Sequence, residues 1–77
     1  MEQIIINEEY YYKIIRKNIR TFRLRKKLTQ QELADLTGLS RCYICDIEND
    51  NRNKHLTIAA LTTISAALEI DITTFFI

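Results

Sequence analysis

Proline and tryptophan are absent from this 77-residue chain, glycine and histidine occur once each, and cysteine occurs twice. With no proline and a single glycine, Gly38, almost nothing interrupts a helix, and the abundant Ala, Leu, Ile, Lys, Arg, Glu and Gln favour helices throughout. One histidine, no Ser-His-Asp set and no glycine-rich phosphate loop leave no grouping for catalysis, so no enzyme is expected. Cys42 and Cys45 cannot form a disulfide framework and read as reduced cytosolic thiols. No apolar run approaches the ~18 residues of a membrane span, and nothing resembles a signal peptide. The expectation is a cytoplasmic protein with no membrane partner, folded as one domain over residues 1–77 near the lower size limit for a self-sufficient core.

Charge is scarce in sum and uneven in place. The net charge is +1, yet residues 13–27 hold eight of the eleven lysines and arginines and no acid. Taken alone, such a run is a solvated helix face.

The chain is organised around Gln30 to Asn49. Thr29 and Glu32 have the spacing of a capping box, in which the hydroxyl accepts from the Glu32 amide and the carboxylate reaches back. Leu33, Ala34 and Leu36 follow in a helix of about two turns. Gly38 stands where that helix must stop, in a position suited to left-handed dihedrals. Ser40 is a good N-cap for a second helix, in which Ile44 and Ile47 face inward and Arg41, Cys42, Cys45, Asp46 and Asn49 point out.

Two short helices about a glycine turn, with small Ala34 at their crossing, resemble a helix-turn-helix. The spaced set Arg20-x-x-Arg23, Leu28-Thr-Gln-x-Glu-Leu-Ala34, Gly38-Leu-Ser40 and Tyr43-Ile-x-x-Ile-Glu48 resembles the phage-repressor and Cro-like (XRE) family across roughly residues 14–76. The resemblance implies an all-α, five-helix, lambda-repressor-like domain that binds double-stranded DNA. It also implies an ion pair between Arg23 and Glu48, and a backbone phosphate contact from Gln30, which braces the second helix. Lys27 stands where the family commonly has a glycine, and Asp50 likewise.

The flanks take their places around this unit. Residues 1–7, MEQIIIN, form a frayed arm or an apolar strap across a partner. A first helix runs from about Glu8 to Lys26, with Tyr11, Ile14, Ile15, Ile19 and Phe22 on the buried arc and Lys13, Arg16, Lys17, Arg20 and Lys27 opposite. Beside a helix-turn-helix, Arg16 and Arg20 read as phosphate contacts. A polar loop follows Asn49, Thr57 caps a fourth helix, and Asp71 caps a last short helix, residues 72–77. Its Ile72, Phe75 and Phe76 exceed what so short an element needs, which suggests a surface for a second copy of the chain.

On DNA, the early residues of the second helix enter the major groove. Arg41 is the main reader, because its planar fork fits guanine O6 and N7. Ser40 and Cys42 are small enough for close approach. Tyr43 either contacts phosphate, sugar or a deformable base step, or packs its ring on the helix that begins at Gln30. Cys45 stands where relatives often have a small polar phosphate contact, Asp46 fits only if it accepts from a cytosine amine, and Arg52 and Asn53 clamp the flanking backbone. One short helix reads little sequence, so a homodimer on a (pseudo)palindromic operator is expected. The segment Leu68-x-Ile-Asp-x-x-x-Phe-Phe76, the run Arg41-Cys-Tyr-Ile44 and Arg52-Asn53 resemble the small controller proteins of restriction–modification systems, which regulate their own promoters.

Two other readings stand beside this one. Cys42-x-x-Cys45 puts two thiols on one helix face with His55 as a conceivable third ligand, but a structural zinc site needs four ligands and no second pair exists. No metal, cofactor or small-molecule ligand is expected. The rival function is an antitoxin-like interaction module whose helix-turn-helix serves autoregulation.

Overall fold

The structure, a computed structural model, describes residues 8–49 and 56–77. Four α-helices and one 3-10 helix follow in order: α1 (Glu8–Arg25), α2 (Gln30–Thr37), α3 (Arg41–Glu48), α4 (Ile58–Leu68) and η1 (Ile72–Phe76). Among the described residues there is no strand, and no helix is long and apolar enough to cross a membrane. The expected fifth helix is thus a 3-10 turn. Asp71 caps it through the Thr73 amide and its backbone bond runs from Thr74 N to Asp71 O, the i to i+3 pattern of a short, tight element.

One core joins all five elements. Ile15 and Ile19 from α1 meet Leu33 and Ala34 of α2, Ile44 and Ile47 of α3, and Leu61, Ile64 and Leu68 of α4. Phe75 of η1 fills the remaining space and is wholly buried. Each such side chain contributes about 1.5–3 kcal/mol by leaving water. The assignment of Phe75 to a dimer surface is therefore corrected: the 3-10 turn swings it into its own core. Ile72 and Phe76 are half-buried against the same cluster, with the Phe76 ring 6.4 Å from that of Tyr11.

Among the described residues, three are left-handed and set corners. Gly38 (φ 75°) ends α2, and its amide donates to Ala34 O. Lys27 (φ 59°) follows α1, where Leu28 N reaches Arg23 O and Lys27 N reaches Leu24 O, the paired bonds of a Schellman ending. Glu69 (φ 58°) repeats this after α4, with Ile70 N on Ser65 O and Glu69 N on Ala66 O. Two of the three corners thus carry side chains where glycine fits without strain.

Asn18 of α1 ties down the far end of the chain. Its side-chain amide donates to Phe75 O at 2.8 Å and to Ile77 O at 2.9 Å.

Candidate nucleic-acid interface

The turn between α2 and α3 is held from within. Thr29 and Glu32 complete their capping box at 3.0 and 2.8 Å. The Thr37 hydroxyl donates to Leu33 O at 2.8 Å and accepts from Leu39 N at 3.2 Å, which leads the chain around Gly38. Ser40 then caps α3, its hydroxyl accepting from Tyr43 N at 3.0 Å.

The first turn of α3 faces solvent. Ser40, Arg41 and Cys42 are exposed, whereas Cys45 and Asn49 are half-buried. Asp46 is only 8% exposed, so its placement on the outer face is corrected, and its backbone carbonyl accepts from Arg16 of α1. Tyr43 is half-buried against the core. Burial pushes its phenol above the ordinary value, and a hydrogen bond with the Thr57 backbone works against that rise. The ring thus packs partly on its own domain, with its hydroxyl at the Thr57 backbone just before α4.

Two arginines of α1 leave the basic surface. Arg23 Nε and Nη2 bind Glu48 Oε2 and Oε1 at 2.7 and 2.9 Å, and its Nη1 donates to Leu28 O at 2.8 Å. Gln30 Nε2 joins the same carboxylate at 3.2 Å, which binds the start of α2 to the end of α3. Arg16 is the second, and its expected phosphate role is corrected. It is 5% exposed, its Nη1 donates to Asp46 O, Ile47 O and Asn49 O at 3.1, 3.3 and 3.1 Å, and its Cζ lies 5.9 Å from the Tyr12 ring centre. The last carbonyls of a helix lack partners within it, and a cation there also meets the negative end of the helix dipole.

The sequence carried one sign of this. Arg16 stands seven residues before Arg23, two turns with only ~20° of drift, so the two share a face. An apolar-periodicity reading weights Ile14 and Phe22 instead and turns the buried arc away from both arginines. Lys13, Lys17, Arg20, Arg25, Lys26 and Lys27 remain exposed, Lys26 in an ion pair with Glu69. Arg52 and Asn53, His55, the Asp50 turn and the Ile4–Ile6 arm lie outside the described residues. Among the described residues no three His, Cys, Asp or Glu side chains form a metal-binding group.

A family model described as Helix-turn-helix matches residues 19–75. The chain belongs to that family. It is 36% identical over 55 residues to the control protein C.SmaI of Serratia marcescens, an alignment covering 71% of this chain and 63% of the relative. It is 39% identical over 56 residues to the immunity repressor protein of Bacillus phage phi105, covering 73% of this chain and 38% of the repressor. The match therefore spans under two thirds of either relative. Among solved structures, the restriction-modification controller protein C.Esp1396I is 37% identical with a TM-score of 0.76, over 87% of this chain and 84% of that one. A variant of C.Esp1396I has been solved bound to its highest affinity operator site, with a TM-score of 0.74.

Proposed function

We propose that this helix-turn-helix protein is a sequence-specific DNA-binding transcription regulator of the restriction–modification controller type, acting as a homodimer on a (pseudo)palindromic operator. One observation carries the reading. The amino-terminal turn of α3 presents Ser40, Arg41 and Cys42 to solvent, while the rest of that helix is fastened to α1 and α2. A fixed helix with a free leading turn matches what the major groove admits. Arg41 is the reader of a guanine edge, Arg20 touches phosphate, and Arg52 and Asn53 hold the flanking backbone. Exposed Ile58 and Ile77, at 66% and 88%, flank half-buried Phe76 and supply apolar surface for the second copy.

The test is a titration of wild-type and Arg41→Ala protein against the gene's own upstream DNA and a scrambled duplex, with particle size recorded. Preferential binding of a dimer to upstream DNA, lost in Arg41→Ala, supports the reading. Equal, weak binding to both duplexes by the wild type overturns it.

A further inference from the structure

α1 sends two arginines into the last turn of α3, and they grip it by different chemistry. Arg23 holds a side chain, the Glu48 carboxylate. Arg16 holds backbone, the carbonyls of Asp46, Ile47 and Asn49. The two lie about 10.5 Å apart along α1. At the end of α2 a left-handed glycine turns the chain back onto its own helix. α3 instead leaves through Asn49 in an extended conformation, φ −102° and ψ 115°. Arg16, from another helix, gathers the carbonyls there.

We infer that Arg16 is a positioning residue for DNA reading. Together with Arg23 it fixes the tilt and roll of α3 and the direction in which the chain leaves that helix, so that Arg41 meets base edges in one orientation. This rests on the DNA-binding reading above. Arg41 sits at the opposite end of α3 from the clamp. Over an eight-residue helix about 12 Å long, a 10° tilt at the clamp displaces the far end by about 2 Å. Hydrogen bonds tolerate only a few tenths of an ångström. The Glu48 tether and the buried Ile44 and Ile47 hold α3 against the core, and the three carbonyl bonds from Arg16 Nη1 add a second hold at the end of that helix. Because Arg16 is buried under Tyr12, its influence on DNA runs through α3 and not through phosphate.

The experiment compares full-length wild type, Arg16→Met, Arg16→Lys and a core variant on α4 outside the Arg16 clamp, Ile64→Val, as a control for lost stability. Amide hydrogen exchange is followed in the free protein, and binding to upstream and scrambled duplexes is measured at several salt concentrations. In Arg16→Met, exchange at residues 45–49 should quicken and the preference for upstream DNA should fall between about 2- and 30-fold, the range for residues that modulate a site without touching its ligand. The slope of log affinity against log salt should stay at the wild-type value. Arg16→Lys, which keeps the charge without the fork, should fall between the two and carries the test if Arg16→Met does not fold. Ile64→Val should keep the wild-type preference. An unchanged preference in a folded Arg16 variant overturns the inference. So does a salt slope smaller by about 0.9, the mark of one lost phosphate contact. If the wild type itself shows no preference, the DNA-binding reading fails. The exchange data then decide the clamp alone, and unaltered rates at residues 45–49 overturn it.

Discussion

Arg23 and Glu48 meet fork to fork, with Nε–Oε2 at 2.7 Å and Nη2–Oε1 at 2.9 Å, and their side chains are 8% and 3% exposed. The pair spans α1 and α3 out of water, where each charge depends on the other. Removing one partner from such a pair costs about 3–5 kcal/mol, while replacing both with apolar residues is often near neutral. Arg23→Met and Glu48→Leu alone should each lose stability on that scale in urea denaturation, and the double variant should recover most of it. Additive losses in the double variant would show that the two residues stabilise the fold separately.

Lys27 invites the opposite change. A left-handed conformation costs an L-residue about 1–2 kcal/mol that glycine does not incur. Lys27→Gly should raise stability by about 1 kcal/mol and Tm by about 4–8 °C for a domain of this size. Gly38→Ala should lose about as much. No atom lies within 4 Å of the added Cβ, so the loss comes from the backbone alone. Scanning calorimetry of both variants reads the two effects with opposite sign.

Asp71 accepts hydrogen bonds from the Thr73 hydroxyl at 2.6 Å and the Thr73 amide at 2.9 Å, and these hold its carboxyl below the usual carboxylate value. A carboxyl lowered on folding stabilises the fold above its unfolded pKa, about 3.9. That contribution is lost as pH falls through the lower folded value. Thr73→Val should move the Asp71 titration, followed by carboxyl NMR, up toward the ordinary value. An unmoved titration would assign the shift to the amide alone.

Arg20 and Arg41 are both exposed but should fail differently on DNA. Arg20→Ala should weaken upstream and scrambled duplexes alike and flatten the salt slope by about 0.9. Arg41→Ala should cost about 1–3 kcal/mol at one base position per half-site. Paired titrations over a salt series separate the two roles.

The sequence reveals this molecule wherever one residue type has one local job. Thr29 with Glu32, Gly38, Ser40 and the Ile44–Ile47 spacing fix the helix-turn-helix, because caps and turns act within four residues of themselves. Lys27 could be seen as an anomaly against the family's glycine, and the structure gives it the left-handed φ that glycine normally serves. Arg16, Asp46 and Asn18 are another matter. Their partners are carbonyls or helix faces about thirty to sixty residues away, and a carbonyl carries no signature in the residue that bears it. Phe75 misled for a related reason: an apolar pair on a short element looks superfluous until the hole it fills is known.

That hole has a consequence for how the protein is made. α1, α2 and α3 leave the ribosome first, yet the core they share stays open until residue 75 arrives and Asn18 secures its carbonyl. At synthesis rates of about 5–20 residues per second, residues 41–48 wait roughly one to five seconds on a nascent chain that lacks its plug. Through that interval Ile15 and Ile19 are available to chaperones or to neighbouring chains. A message cut short before the codon for Phe75 would therefore give a product with no closed core, and its cellular fate would be set by quality control before any operator.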